Sequence, residues 1–255
     1  MKLIFEERPS DSPFVERIWR TRSERIDTFI SIAVSQWELV VWTQYGKTQM
    51  TVRGPETHAT YAPVPDNAEF FGIFFKHGTY MPHLPFDQLI NQGLDLPDAG
   101  SHSFWLNGSA WQFPTYDNAD TFVNRLVREG LIAYESNVEA ALHGSLPDDY
   151  SLRTTQRRFL RSTGMSLNAV RKIERARYAA GLLRQGISIQ DTVFQAGFFD
   201  QAHMTHALKR LIGQTPAQIM DISRSVQLSF TYNTTPPPVA YDMDVIWNSL
   251  QGATA

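Results

Sequence analysis

The sequence contains no cysteine among its 255 residues. This absence excludes disulfide frameworks, thiolate metal sites, iron–sulfur clusters and every mechanism with a cysteine nucleophile. The chain also has no apolar run of the roughly 18–20 residues that a membrane span needs. Hydrophobic residues make up 42% and charged residues 19%, which excludes a largely disordered, collagenous or coiled-coil chain. The composition predicts a globular protein of one large domain or two smaller ones.

Signals for targeting, catalysis and metal binding are also missing. Glu6 and Glu7 interrupt the beginning of the chain before a signal-peptide core can form, so we expect a cytoplasmic protein without a membrane partner. The sequence has no glycine-rich phosphate loop, no Gly-x-Ser-x-Gly elbow and no paired-carboxylate signature, and we expect no catalytic residues and no cofactor. We expect no metal site either, because the histidines of the first half stand singly, at His58, His77, His83 and His102.

Charge is distributed unevenly along the chain. Residues 1–136 contain 11 basic and 17 acidic side chains, whereas residues 137–224 contain 12 basic and 7 acidic ones. The segment 225–255 adds two aspartates and no base. A basic segment beside an acidic one suggests a nucleic-acid-binding module attached to a second unit.

The pattern of apolar residues changes near residue 115. Short segments rich in Ile, Val, Phe, Trp and Thr predict strands at 26–34, 37–43, 49–53 and 69–75. A short helix is expected after Pro85, a longer one over about 118–131, and only helices from 137 to 224. The predicted class is α+β, with a β-rich domain followed by an all-α one.

These patterns predict four segments. Residues 1–115 form a β-rich domain, and residues 116–136 a helical connection. Residues 137–224 form a DNA-binding domain. Residues 225–255 form a carboxy-terminal extension that includes a β-like stretch at 226–232 and a proline-rich linker.

The sharpest local pattern lies at 187–212. A short helix ends where Gly197 can adopt the left-handed conformation, and Asp200 then caps a second helix. In that helix Met204, Leu208 and Leu211 share one face. The other face carries donors and small residues, Gln201, Ala202, His203, Thr205, His206, Lys209 and Arg210. The parts are those of a helix-turn-helix, although an ordinary helical hairpin with a solvated face has the same periodicity.

Another unit of this kind lies earlier in the chain, and we call it the first unit and the one at 187–212 the second. Ser151 caps a helix in which Leu152, Thr155 and Phe159 are predicted to face inward. Its outward side chains are Arg153, Gln156, Arg157, Arg158 and Arg161, and no acid lies between residues 152 and 163. Arg and Gln can bond to base edges and phosphates, which favours DNA over a solvated face.

The helix between the two units begins after Ser166. Its length of roughly 18–20 residues corresponds to about 27–30 Å. Successive major-groove faces on one side of a duplex are about 34 Å apart. A rod of this length can hold two reading helices over successive turns of DNA.

The spacing of these residues resembles the double helix-turn-helix domain of the AraC/XylS family of bacterial transcription regulators. The matching stretches are Ser151 to Phe159, Thr163 to Ser166, Ile173 to Arg177 with Leu182 and Leu183, Gly197 to Met204, Leu208 to Arg210, and Gly213 to Pro216 with Ile219. Three features differ from the family pattern. The stretch 144–150 is longer than usual, Thr192-Val193 replaces an Ile-Ala pair, and His206 stands where an arginine is common.

The resemblance implies which side chains face the bases. They are Arg153, Gln156 and Arg157 in the first unit and Gln201, Ala202, Thr205 and His206 in the second. Arg158, Lys209 and Arg210 complete the candidate DNA-binding set. Because an imidazole is charged only when protonated, the contact of His206 is expected to be weaker than that of an arginine and to depend on pH.

Family members usually join this module to a sensing or dimerising domain, often a cupin-like barrel. In the β-rich half Trp37, Trp42, Tyr61, Phe71 and Trp105 can line a pocket for a small molecule, although such residues are more often core.

The sequence therefore predicts a regulator that binds a double-stranded DNA operator. A small-molecule effector, a homodimer partner and, for an activator, RNA polymerase are the other expected partners. The alternative is a cupin-like small-molecule-binding protein or enzyme whose helical tail has only a structural role.

Overall fold

The computed structural model describes residues 4–23, 28–142 and 152–221. Strands occupy most of its first part. They are β1 (Ile4–Arg8), β2 (Val15–Arg22), β3 (Thr28–Ser31), β4 (Glu38–Gln44), β5 (Lys47–Arg53), β6 (Thr60–Pro63), β7 (Ala68–Phe75), β8 (Thr79–Tyr80), β9 (Gly93–Asp95), β10 (Asp98–Gly100), β11 (Ser103–Leu106), β12 (Ser109–Gln112) and β13 (Ala133–Tyr134). A 3₁₀ helix, Phe86–Leu89, follows Pro85 as predicted.

The main sheet has six strands in the order β1-β2-β7-β4-β5-β9, and all neighbours in it are antiparallel. Three smaller sheets contain β10-β11-β12, β13-β8 and β3-β6. The hairpin between β4 and β5 turns at Tyr45 and Gly46, whose φ angles of 50° and 77° suit a tight two-residue turn. The four predicted strands correspond to β3, β4, β5 and β7, whereas β1 and β2 were not predicted.

One face of the main sheet packs against a helix of the β-rich half. Leu39, Met50 and Ile73 lie in the same apolar cluster as Phe122 and Leu126. The last two belong to α1, Ala119–Arg128, which corresponds to the helix predicted over about 118–131. The first half of the chain thus has a core of its own.

The opposite face of the same sheet packs against the helical half. Val40 and Phe74 share a second cluster with Phe159, Ile173 and Leu208 from the helices that follow. Because side chains alternate between faces along a strand, Leu39 and Val40 belong to different cores. The two halves are therefore joined by a continuous buried core.

The helical half contains α2 (Ser136–Leu142), α3 (Leu152–Thr163), α4 (Leu167–Arg184), α5 (Ile189–Gln195), α6 (Gln201–Leu211) and α7 (Pro216–Met220). Side chains of Ser166, Ser188, Asp200 and Thr215 cap α4 to α7 by accepting backbone N–H groups. These caps explain why the helices begin where the sequence predicts. The structure bears out the predicted order of a β-rich part and a helical part. The predicted stretch at 226–232 and the extension 225–255 lie outside the described residues.

Across the described part of the chain, no helix combines the length and the apolar character that crossing a membrane requires.

Candidate nucleic-acid interface

The turn of the second helix-turn-helix unit is built on Gly197. Its φ is +65°, the left-handed conformation that the sequence predicts. The N–H of Phe198 donates to the Val193 carbonyl at 2.9 Å, and the N–H of Gly197 donates to the Phe194 carbonyl at 3.2 Å. This pair of bonds is the Schellman arrangement that ends a helix. The space where a side chain at residue 197 would begin is open, so the turn needs glycine for its backbone angle alone.

The helix after this turn has the two faces that its periodicity predicts. Met204, Leu208 and Leu211 are buried. Most of the donor-rich face is exposed, namely Gln201, Ala202, His203, His206, Lys209 and Arg210, while Thr205 is half-buried. The candidate side chains of this unit therefore lie together on one accessible surface, which we call the α6 reading face (Gln201, Ala202, Thr205, His206, Lys209 and Arg210).

The first unit has the same organisation. Thr155 and Phe159 of α3 are buried, as predicted, whereas Arg153, Gln156 and Arg157 are exposed. We call these three exposed side chains the α3 reading face. At 100° per residue the three lie within one side of the helix, so one surface can meet a DNA groove. Ser151 and the side chain of Leu152 lie outside the described residues.

The remaining arginines of α3 turn toward the β-rich half. The Arg158 Nη1 atom lies 3.5 Å from Glu135 Oε1. The guanidinium of Arg161 lies 5.8 Å from the centre of the Tyr80 ring. Arg158 therefore has a protein partner at the edge of the α3 reading face, which sequence reasoning did not anticipate because Glu135 is 23 residues away in the chain.

The two units are connected by α4. Its inward stripe, Val170, Ile173, Ala176, Ala180 and Leu183, is fully buried, as the spacing predicts. The 18 residues of this helix give a length of about 27 Å at 1.5 Å per residue. The helix between the two units thus has the length that the sequence predicts.

The β-rich half also holds the carboxyl end of α6. The N–H of Ala33 donates to the Leu211 carbonyl at 2.8 Å, and the N–H of Ala59 donates to the Arg210 carbonyl at 2.9 Å. Carbonyls in the last turn of a helix have no partner within the helix, so these bonds satisfy groups that otherwise need water. Gly213 lies against the same surface, where an added Cβ would be 2.9 Å from Ile30 Cγ2. The backbone at the carboxyl end of α6 is therefore covered by the β-rich half, whereas Gln201 and Ala202 at its amino end are exposed.

A similar close approach fixes the first unit. Gly164 ends α3 with a φ of +72°, and a Cβ there would lie 2.8 Å from the backbone carbonyl oxygen of Phe86. Phe86 begins the 3₁₀ helix of the β-rich half. Each helix-turn-helix unit thus has its own contact with the amino-terminal half, in addition to α4.

A polar cluster of buried and half-buried side chains lies where α4 meets the sheet. The Ser35 hydroxyl donates to Glu174 Oε1 and lies 2.8 Å from His77 Nε2. Burial alone would raise the pKa of Glu174, but Arg177, His77 and the Ser35 bond outweigh it and lower that pKa. Burial lowers the pKa of His77, against the attraction of Glu174. Burial and the neighbouring Arg177 lower the pKa of Arg17. At the joint between the halves, the pKa of each ionisable group therefore depends on the charges of its neighbours.

Two of the candidate pocket residues belong to the core of the β-rich half. Trp37 is buried, stacks on Phe75 with ring centres 3.9 Å apart, and donates its indole N–H to the Thr79 carbonyl. Phe71 is buried in the same cluster. Their surroundings are those of packed interior side chains.

The other candidates lie elsewhere. Trp42 is on the opposite face of the sheet, because it is two residues from Val40 and pairs across the strands with Phe70, which packs on the other core. Tyr61 is on β6 and 68% exposed, and Trp105 is on β11 and 45% exposed. The structure does not bring the five aromatic residues to one pocket. Strand alternation separates these residues, which composition alone groups together, onto different faces of the sheet.

The histidines are also dispersed. His58 and His102 are exposed, and His77 belongs to the polar cluster where α4 meets the sheet. Over the described ranges, no group of three or more His, Asp or Glu side chains is arranged to hold a metal ion.

Comparisons with known proteins support a helix-turn-helix domain in the helical half of the chain. Residues 149–221 match the family model described as a helix-turn-helix domain. The chain is similar to the HTH-type transcriptional regulator RipA of Corynebacterium diphtheriae, with 34% identity over 93 residues, covering 36% of this chain and 28% of that protein. For RipA of Corynebacterium glutamicum the identity is 40% over 67 residues, covering 26% of this chain and 20% of that protein. The chain spans about a quarter of the length of these relatives.

A solved structure is also similar to the chain over most of its length. It is that of ToxT from Vibrio cholerae, with 9% sequence identity and a TM-score of 0.39, and the match covers 85% of this chain and 97% of that one.

Proposed function

Since residues 149–221 carry a helix-turn-helix domain of the AraC type, we propose that this chain is a sequence-specific transcription regulator that binds double-stranded DNA in the bacterial cytoplasm. The observation that carries the proposal is the pair of exposed, donor-rich faces held by one buried helix, α4. A solvated helix face usually mixes acidic and basic side chains, whereas an acid-free, donor-rich face suits phosphates and base edges.

The two faces have complementary chemistry for DNA. On the α3 reading face, Arg153 and Arg157 can bond to guanine edges and Gln156 to an adenine edge. On the α6 reading face, Gln201 and Ala202 stand at the exposed amino end, where recognition helices contact bases. Lys209 and Arg210 stand near the other end and suit phosphates, which position a protein without specifying sequence.

The proposal assigns the β-rich half a regulatory role, through a small molecule or through dimerisation. This role is supported by the separate contacts that the β-rich half makes with each helix-turn-helix unit, at Ala33 and Ala59 for α6 and at Phe86 for α3. A displacement of that half would alter the relative placement of the reading faces. RNA polymerase is a further partner if the protein activates transcription, and we propose no enzymatic activity.

Operator selection with the full chain tests the proposal, because the two halves share a core. The protein is incubated with a random DNA pool, bound sequences are amplified, and affinity for the enriched sequence is measured against salt. We expect one enriched motif with two half-sites about one helical turn apart, and an affinity that falls as salt rises. Enrichment of no motif would contradict the proposal and favour a small-molecule-binding protein with a structural helical tail.

A further inference from the structure

Two phenylalanines of the second helix-turn-helix unit are almost fully exposed. Phe199 is 91% exposed and Phe194 is 84% exposed. Phe199 lies between the buried Phe198 and Asp200, the residue that caps α6. An aromatic ring in water contributes nothing to the hydrophobic core, so folding alone does not account for a phenylalanine at this position.

The usual structural role for such a residue does not apply to Phe199. An apolar side chain just before a helix cap often packs against the fourth residue of the helix, which here is Met204. Met204 is fully buried, but the ring of Phe199 remains outside. The adjacent Phe198 stabilises the turn instead, since its ring lies 4.8 Å from the Arg175 guanidinium and 5.3 Å from the His203 ring.

The position of Phe199 relates it to the reading face. The carboxyl end of α6 is bonded to the β-rich half through Leu211 and Arg210, so its amino end is the one that can enter a groove. Phe199 precedes that end by two residues, and Gln201 and Ala202 beside it are exposed. The ring therefore continues the α6 reading face with an apolar surface.

From this placement we propose that Phe199 determines sequence specificity by packing against the C5-methyl group of a thymine in the major groove. The thymine methyl is the apolar feature of base edges in that groove, and phenylalanine is among the side chains that contact it. The exposed methyl of Ala202 extends the same apolar surface. This inference rests on the proposed DNA-binding function and adds to it the base that the second unit prefers.

Phe194 provides a matched control. It is an aromatic residue of similar exposure in the same unit, but it belongs to α5, the first helix of the unit, and not to the segment that precedes α6. In a helix-turn-helix the first helix crosses the DNA backbone while the second enters the groove. Phe194→Ala therefore removes the same amount of exposed ring without removing the proposed base contact.

The experiment replaces each thymine of the enriched operator, one at a time, by deoxyuracil, which lacks only the methyl group. Affinities are measured for the full-length wild type, Phe199→Ala and Phe194→Ala. For the wild type we expect one thymine of the second half-site at which the replacement weakens binding about fourfold, the factor for one buried methyl group. Phe199→Ala should bind the thymine operator roughly tenfold more weakly than the wild type and lose that fourfold difference. Phe194→Ala should behave as the wild type.

Three results would overturn the inference while leaving the proposed function intact. The first is a Phe199→Ala variant with wild-type affinity and wild-type losses on deoxyuracil. The second is an equal loss on thymine and deoxyuracil operators, which indicates a backbone contact. The third is unchanged DNA binding with lost transcriptional activity, which indicates a protein partner. Failure of the wild type to select any operator would instead contradict the proposed function. Because Phe199 is exposed, matching far-UV spectra and thermal midpoints of the variants are expected and are checked first.

Discussion

Neighbouring arginines in α3 differ in exposure and in what they contact, and this difference bears on which of them we propose for base readout. Arg157 is exposed on the α3 reading face. Arg158 is half-buried and pairs with Glu135 of the β-rich half. Both were candidates from the sequence, because one-dimensional spacing does not reveal a partner that is distant in the chain. Their surroundings therefore make Arg157 a better candidate for a DNA contact than Arg158.

We expect Arg157→Ala to weaken binding to the enriched operator by about 1–3 kcal/mol and to relax the preference at one or two base pairs. Arg158→Ala is the matched control and should weaken binding less, without a change in base preference. Equilibrium binding to the operator and to its single-base variants measures both. Equal losses with unchanged preference for both variants would mean that Arg157 contacts phosphate only.

His206 gives a prediction about a phosphate contact. It is exposed at the middle of the α6 reading face. An arginine at this position carries a permanent positive charge that attracts phosphate. His206→Arg should therefore raise operator affinity at pH 8 and steepen the salt slope by up to about one unit.

The matched control for that substitution is His102→Arg, which adds the same charge at an exposed residue between β10 and β11. It should leave operator affinity and its salt slope unchanged. Identical salt slopes for the wild type and His206→Arg would remove His206 from the residues that contact DNA.

At the scale of elements, glycines with the same backbone angle have different consequences. Gly164 and Gly186 follow α3 and α4 with φ angles of +72° and +85°. Around Gly186 an added Cβ meets nothing within 4 Å, whereas at Gly164 it would meet the Phe86 carbonyl oxygen at 2.8 Å. A backbone atom cannot move aside as a flexible side chain can. The turn after α3 is therefore tied to the β-rich half.

We expect Gly186→Ala to lower the free energy of unfolding by about 1–2 kcal/mol, the usual cost of a left-handed conformation for a residue with a Cβ. Gly164→Ala should cost about 1–3 kcal/mol more, because it adds a clash in a packed interface. Urea unfolding of the full chain measures the difference. Equal losses for the two variants would mean that the contact between Gly164 and Phe86 does not contribute to stability.

The elements themselves were predictable to different degrees. The helices α3 to α7 could be predicted because caps such as Ser166 and Asp200 mark their beginnings and apolar residues recur at helical spacing. Strand β2 could not, because its pairing with β7 shifts register between Val15 and Arg17 and interrupts the alternation that identifies a strand. Periodicity identifies an element only where its packing is regular.

For the whole molecule, the contacts that join the two halves were not predictable from sequence. The bonds from Ala33 and Ala59 to the end of α6 use backbone groups, which every residue except proline has, so no side-chain pattern marks them. The reading faces could be predicted, because the periodicity of a single helix is enough to place their exposed side chains on one side. The relative placement of the two halves depends on tertiary contacts between distant segments.

The final prediction concerns the polar cluster at this joint. His77 faces Glu174 and Arg177 of α4, Glu139 of α2, and Glu16 of β2. Burial lowers the pKa of His77, so below about pH 6.5 the unfolded chain binds a proton more readily than the folded one. This contribution to stability is present above that pH and is lost as pH falls toward the lowered pKa, by at most about 1.4 kcal/mol per pH unit.

Replacing His77 by Gln keeps a polar side chain but removes the titration. Between pH 7.5 and 5, we expect the free energy of unfolding of the wild type to decrease with falling pH more steeply than that of His77→Gln. Glu38 acts in the opposite direction, because burial raises its pKa, but its contribution is the same in both proteins and cancels in the comparison. Below about pH 4.5 both proteins should lose further stability, because Glu174 has a lowered pKa and must take up a proton on unfolding. Urea unfolding at a series of pH values measures the free energy of unfolding of both proteins. Parallel curves from pH 7.5 to 5 would mean that His77 does not contribute to the pH dependence of stability.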